Sequence, residues 1–268
     1  MSRSGTSMTL KVSGQRFHDL KPQSRLISLF NSIIDIALPN LCPICGQPVL
    51  ERSEGKYTIS LCDSCLKEIR FINGQICPTC GLPFNSQEVE NHQCPGCEKG
   101  KRFYSMAREL GVYEGNLLKA IHLFKYGGKI NIARLLGRML ASYPLDFSIY
   151  DLLIPVPLHI KRLKERGFNQ AVLLSKEIKR AHSIPIEMFG LKRIRATRPQ
   201  VLLKEKERML NVKGAFAVKN PANIKGRKVL LIDDVFTTGA TVNECAKVLK
   251  KAGAERIDVL TLARVVMA

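Results

Sequence analysis

Val229-Leu-Leu-Ile-Asp-Asp-Val-Phe-Thr-Thr-Gly-Ala-Thr241 decides the reading of this chain. Val229 to Ile232 are apolar without alternation, the mark of a strand covered on both faces, as in a parallel sheet flanked by helices. Such a strand carries Asp233 and Asp234 to its carboxyl end, where open α/β sheets bind ligands. Thr237, Thr238, Gly239, Ala240 and Thr241 then form a turn that opens a helix over 239–252. Backbone N–H groups, hydroxyls and the helix dipole converge there on an anion-sized spot. Two carboxylates beside an anion site must face something other than the anion, and ribose hydroxyls, which donate hydrogen bonds to carboxylates, are the obvious class. A capped helix with two acidic loop residues is the bland alternative, and it leaves the coincidence of strand, paired acids and hydroxyl-rich turn unexplained.

The flanking pattern is α/β. Residues 104–113 read as an edge strand, 115–143 as a helix broken near Tyr126-Gly127-Gly128, Asp151 to Val156 as a short buried strand, and 168–181 as an amphipathic helix. Ile257 to Leu262 read as a further strand. Asn169 and Gln170 serve equally well as helix-start caps or as ligand contacts.

Eight of the nine cysteines form four C-x-x-C pairs: Cys42/Cys45, Cys62/Cys65, Cys77/Cys80 and Cys94/Cys97. Disulfides need an oxidising compartment, and no export signal is visible. The pairs suit two tetrahedral Cys₄ Zn²⁺ sites of structural type, with sequential pairing favoured over a cross-braced one. His92 reads as a surface residue rather than a ligand. The cysteine-rich module and the α/β region are expected to have separate cores.

No apolar run approaches the roughly 18 residues of a membrane-spanning helix, so no membrane insertion and a cytoplasmic location are expected. The polar residues 1–23 are expected to be a disordered tail, 24–100 a helix (24–38) plus double zinc-ribbon module, and 104–268 the α/β domain. Charge is uneven: of the net +19, residues 161–228 alone contribute 19 basic against 5 acidic residues. That concentration fits a surface for phosphates, with a merely solvated face as the competing reading. The chain has no Trp, which weakens a case for base stacking.

The thirteen-residue stretch resembles the phosphoribosyl-pyrophosphate motif of type I phosphoribosyltransferases. Lys125-Tyr126-Gly127-Gly128, Pro155-Val156-Pro157-Leu158 with Arg162, and Arg166-Gly167-Phe168-Asn169-Gln170-Ala171 extend the likeness. So do Arg195 to Gln200, Arg208, Asn211 and Gly214-Ala215-Phe216. Together with the cysteine pairs these residues resemble the ComF family of competence proteins, similar to amidophosphoribosyltransferases. The resemblance implies a type I phosphoribosyltransferase-like parallel sheet with flanking helices, preceded by a zinc-ribbon module. It implies that Asp233 and Asp234 hold the ribose 2′- and 3′-hydroxyls, that Thr237–Thr241 cradle the 5′-phosphate, and that Pro157-Leu158-His159 stand in the pyrophosphate loop. Lys125, Arg162 and Arg166 become candidate pyrophosphate neutralisers, with Mg²⁺ accompanying the sugar diphosphate. Purine-salvage relatives commonly carry an acid where Thr237 stands, so the resemblance disfavours purine salvage and leaves the acceptor open. It further implies a role in DNA uptake during natural transformation, with single-stranded DNA, the DNA-uptake helicase and other competence proteins as partners. Three readings stand together: an active phosphoribosyltransferase of unknown acceptor in nucleotide metabolism, a DNA-uptake adaptor that binds single-stranded DNA, and a non-catalytic ligand sensor. Lys192, Arg193 and Arg195 are the expected DNA contacts, on a surface either distinct from the sugar-phosphate site or overlapping it, in which case the sugar diphosphate competes with DNA.

Overall fold

A computed structural model describes residues 41–49, 61–84, 92–126, 131–196 and 205–266. The expected tail and the helix over 24–38 lie outside these residues, as do Gly127, Gly128 and residues 197–200.

Four parallel strands form the central sheet in the order β1, β6, β5, β2: β1 is Met106–Val112, β2 Leu152–Pro155, β5 Lys228–Phe236 and β6 Arg256–Arg264. The order places the strand of the opening motif in the interior of the sheet and the predicted edge strand at its edge. Side chains along β5 alternate between two buried faces, which is why its apolar run shows no polar alternation. Leu230 and Ile232 join Leu153, Leu260 and Leu262 on one face. Val229 and Leu231 join Ile154, Ile257 and Val259 on the other. Each such buried aliphatic side chain contributes about 1.5–3 kcal/mol over its exposed state.

On the first face lie α3 (Gly115–Tyr126), α4 (Asn131–Ala141) and α6 (Gln170–His182). The break expected near Tyr126-Gly127-Gly128 falls at residues 127–130, outside the described residues. Gly137 lets α4 approach α6, since a Cβ there would sit 2.5 Å from Cγ of Glu177. On the second face lies α8 (Ala240–Lys251). A small antiparallel pair, β3 (Leu191–Arg193) with β4 (Phe216–Val218), adjoins that face, and α7 (Glu205–Val212) lies between its two strands in sequence. This pair, α7 and α5 (Ile160–Arg166) are elements the sequence patterns did not predict.

The cysteine-rich segment repeats one unit. Cys42 and Cys77 each open a tight turn in which Gly46 N–H donates to Cys42 O and Gly81 N–H to Cys77 O, both at 2.9 Å. Both glycines take positive φ, +75° and +74°, a conformation that side chains strain. Cys62 and Cys94 each precede a one-turn helix, α1 (Asp63–Lys67) and α2 (Pro95–Lys99).

Contrary to the expectation of separate cores, each cysteine cluster is built into one face of the sheet. Cys42, Leu61, Cys65 and Ile69 pack in the same core as Leu110, Leu117 and Leu230. Cys77, Cys80, Cys94 and Cys97 pack with Tyr104, Ala107, Leu231 and Val259. Both cores thus run across the boundary expected between the 24–100 module and the 104–268 domain.

Candidate functional site

The carboxyl ends of β2 and β5, with the turns that follow them, open into a cavity of about 360 Å³, within the range of small-molecule sites. Asp233, Asp234, Thr237, Gly239 and Thr241 line one wall, and Pro157, Leu158, Lys125, Arg162, Arg166 and Arg193 line the rest of its charged and looped rim. Residues from separate stretches of sequence, around 125, 157–166, 193 and 233–241, thus meet in one place.

The acidic pair is internally ordered. Asp234 N–H donates to Asp233 Oδ1 at 2.9 Å, and Lys125 Nζ lies 2.9 Å from Asp234 Oδ2 with both side chains largely buried. Burial opposes the Lys125 charge, but Asp234 outweighs it and the net shift is upward, so the ammonium is held charged. Burial, reinforced by the Asp234 carboxylate, pushes the Asp233 carboxyl up to about 7, against the weaker pull of Lys125 and Arg193. Lys125 thus belongs to Asp234, and Asp233 holds its proton close to neutrality.

The turn after β5 divides its hydroxyls. Thr237 and Thr241 line the cavity, whereas Thr238 Oγ1 accepts from Ala240 N–H at 3.4 Å and stands outside the lining, as does Ala240. Gly239 caps α8 at φ +73°, and a Cβ there would lie 2.5 Å from Cζ of Phe236. Gly239 itself has no side chain to cap the helix, and the positive end of the helix dipole faces the turn, the polarity that suits an anion.

After β2, Pro157 and Leu158 line the cavity, but His159 does not: its Nδ1 accepts from Lys161 N–H at 3.3 Å and caps α5. Asn169 likewise acts as a cap, accepting from Ala171 N–H at 3.0 Å while its amide donates to Val156 O at 3.0 Å, which ties α6 to the end of β2. Arg166 donates to Gln170 Oε1 at 3.1 Å and its guanidinium lies over the Tyr126 ring, 5.3 Å from the centroid.

Arg193, named among the DNA contacts, lines the cavity and stacks on Phe216, 5.4 Å from the ring centroid. Arg195 is exposed but engaged, donating to Asn211 O at 2.9 Å and Lys213 O at 2.8 Å. Lys192 is exposed, as expected. Tyr113, Tyr126 and Phe236 are further lining residues that sequence reasoning missed. Their signal was adjacency, since Tyr126 follows Lys125 and Phe236 lies between the acids and the hydroxyl turn.

The cysteines pair sequentially into Cys42/Cys45/Cys62/Cys65 and Cys77/Cys80/Cys94/Cys97, with the sulfurs of each set within 4.8 Å of one another. A tetrahedral ion with Zn–S bonds of about 2.3 Å requires sulfurs about 3.8 Å apart, and no disulfide joins them. Each set holds thiols that lean to thiolate, Cys42 and Cys62 in the first and Cys77 in the second. The Ser64 hydroxyl and Cys65 N–H pull Cys62 down to about 6. Burial opposes ionisation of Cys77, but N–H groups of Cys80, Cys94 and Thr79 outweigh it and bring the thiol to about 7. The donor sets fit two structural Zn²⁺ ions. His92 stacks on Phe84, 4.2 Å between centroids, and belongs to neither set.

Fold and site together define a phosphoribosyltransferase-like α/β domain with two zinc-ribbon clusters built onto its sheet. Family profiles agree: a double zinc ribbon domain matches residues 33–98 and a phosphoribosyl transferase domain residues 163–265. Competence protein F of Haemophilus influenzae is 35% identical over 76% of this chain and 90% of its own length. DNA utilization protein YhgH of Escherichia coli K12 is 30% identical over 85% and 99%, and competence protein ComFC of Bacillus subtilis 30% over 76% and 84%. The chain belongs to the ComF family of competence proteins. Among solved structures, the glutamine phosphoribosylpyrophosphate amidotransferase from B. subtilis resembles 49% of this chain at 23% identity and a TM-score of 0.34, over only 27% of its own chain. That likeness carries no weight of its own.

Proposed function

We propose that this protein binds phosphoribosyl pyrophosphate, accompanied by Mg²⁺, at the carboxyl edge of its sheet, and serves DNA uptake in natural transformation. The observation that carries the ligand is the bipolar cavity: acids and a hydroxyl-lined helix start on one wall, and Lys125, Arg162, Arg166 and Arg193 around it. Asp233 and Asp234 accept from the ribose hydroxyls, the Thr237–Thr241 turn takes the 5′-phosphate on backbone N–H groups, and the guanidinium groups neutralise the diphosphate. Mg²⁺ is held by diphosphate and ribose oxygens with retained waters, as its coordination habits favour. The names of the relatives, competence proteins and a DNA utilization protein, support the cellular role.

Calorimetry tests the ligand. Asp234→Asn should lower affinity for the Mg²⁺ complex by about 1.5–3 kcal/mol, roughly ten- to hundredfold, because a charge-assisted bond becomes a neutral one. Thr238→Val should change it by less than about 0.5 kcal/mol, since that hydroxyl already serves Ala240. Unaltered binding in Asp234→Asn would show the site misassigned.

A second reading, transfer of the phosphoribosyl group, uses the same cavity. The C1–O bond breaks, its electron pair leaves with pyrophosphate, and an acceptor lone pair closes on C1. Guanidinium groups fixed around the leaving diphosphate would stabilise its developing charge. Pyrophosphate release on adding small amines or single-stranded DNA separates an enzyme from a ligand-binding adaptor or sensor.

A further inference from the structure

The second cysteine tetrad lies on the same face of the sheet as α8, the helix that opens at the phosphate turn, and one side chain joins them. Arg264, at the end of β6, is almost wholly buried. Its Nη1 donates to Cys80 O and, at 3.0 Å, to Glu109 Oε1, while Nη2 lies 3.5 Å from Cys80 Sγ. The same guanidinium covers the Phe236 ring, 4.5 Å from its centroid, and Phe236 is the register partner of Arg264 across β5 and β6. The ring also packs against Gly239: the space a Cβ would need there is occupied by Cζ, Cε1 and Cε2 of Phe236. A continuous packed path therefore runs from the sulfur of Cys80 through Arg264 and Phe236 to the residue that starts α8.

A second tie runs beside it. Asn243, in the first turn of α8, accepts from Phe103 N–H at 2.8 Å and donates to Lys101 O at 3.3 Å, in the segment that leaves the tetrad after α2. Arg102, between them, donates to Gly96 O at 3.1 Å and bonds the Cys97 sulfur. A tetrathiolate around Zn²⁺ carries a net charge of about −2, an unfavourable neighbour for a turn that must accept a phosphate. Arg264 and Arg102 place two positive charges on those sulfurs. The first tetrad packs against the other face of the sheet.

From these contacts we propose that Arg264 is a positioning residue, which couples the second cysteine tetrad to the phosphate turn, so that metal in this tetrad and not in the first sets affinity for the phosphate end of the ligand. The proposal rests on the sugar-phosphate reading of the cavity, and its probes are chosen to separate the two. Ribose 5-phosphate reports the acids and the phosphate turn, and inorganic pyrophosphate with Mg²⁺ reports the guanidinium groups. Calorimetry with each, on protein whose zinc content is measured, is run for wild type and Arg264→Gln. The expected result is two zinc ions retained, pyrophosphate binding within about twofold of wild type, and ribose 5-phosphate binding weakened about tenfold, a shift within the range of through-structure coupling. Unchanged ribose 5-phosphate binding, or equal weakening of both probes, overturns the proposal.

If Arg264→Gln does not fold, Arg264→Lys decides, because it keeps a positive charge beside Cys80 while giving up the planar guanidinium that covers Phe236, and position 264 does not line the cavity. The same selective weakening supports the coupling, and wild-type affinity overturns it. In the metal arm, Cys97→Ser should weaken ribose 5-phosphate binding and Cys45→Ser, at an exposed ligand of the first tetrad, should not. Equal effects overturn the assignment to one tetrad. Wild-type protein that binds neither probe overturns the sugar-phosphate reading itself, and this inference with it.

Discussion

Asp233 carries its proton nearly to neutrality because burial and Asp234 act together on it, and that has a measurable sign. Below about pH 4 the carboxyl is protonated whether or not the chain is folded. Between there and pH 7 the unfolded chain gives up the proton and the folded chain keeps it, so stability falls as pH rises and levels off above 7. Asp233→Asn should remove this decline. In urea unfolding the variant should gain about 2–4 kcal/mol over wild type at pH 8, and much less at pH 5. Parallel curves for the two proteins would place the proton elsewhere. Ligand affinity should fall in the same variant, since an amide is a poorer acceptor for a ribose hydroxyl than a carboxylate. The acids and the turn were readable in the sequence because they are contiguous, and a strand followed by a helix start fixes their mutual geometry. Which of two adjacent threonines faces the cavity was not readable. The turn needs one hydroxyl for Ala240 N–H, and only the backbone path decides that it is Thr238. That Arg193 reaches the cavity was not readable either, because its position depends on pairing between β3 (Leu191–Arg193) and β4 (Phe216–Val218). Those strands are too short and too far apart in sequence for a periodicity signal.

At the scale of elements, the two knuckle turns have the same backbone and different surroundings. A Cβ on Gly46 would meet nothing within 4 Å, whereas one on Gly81 would lie 2.2 Å from Glu109 Oε2 and 2.8 Å from the backbone oxygen of Ala107. Gly46→Ala should therefore cost only the left-handed backbone strain, about 1–2 kcal/mol. Gly81→Ala should cost clearly more, because a strand carbonyl cannot step aside, and thermal unfolding of the zinc-loaded protein measures the difference. The cysteine spacing made the knuckles and their sequential pairing plain. It carried no information on what they lean against, which is set by β1 and β6. The helix α5 went unread for a related reason: its seven residues, Ile-Lys-Arg-Leu-Lys-Glu-Arg, are too few and too charged to show an apolar stripe.

Across the whole molecule, two tetrads on opposite faces of one sheet make the metals part of the main core. Chelation should accordingly loosen the sheet as well as the knuckles, which hydrogen exchange followed by mass spectrometry can localise. A drop in protection confined to residues 41–100 would restore the picture of an independent module. The basic excess should bind single-stranded DNA with an affinity that falls steeply with salt. Its test residues move from Arg193 and Arg195 to Lys161 and Lys164, exposed on the same α5 that turns Arg162 and Arg166 into the cavity. Each DNA phosphate that Lys161→Glu or Lys164→Glu leaves without its ammonium should flatten the log–log salt slope by about 0.7, read by fluorescence anisotropy. Slopes unchanged in both variants would leave α5 out of any DNA track.

The sharing of cores between knuckles and sheet also bears on how the chain is made. A ribosome delivers Cys42 to Cys97 long before β5 and β6, the strands whose side chains bury those sulfurs. Until Arg264 emerges, Cys80 lacks both the guanidinium and the apolar wall it has in the finished molecule. During synthesis the eight thiols are thus open to oxidants and to competing metal ions for as long as the rest of the polypeptide takes to appear. Early zinc capture would then protect the nascent chain, and the sheet, arriving last, closes over the second tetrad, whose four cysteines are all buried, while Cys45 of the first stays exposed.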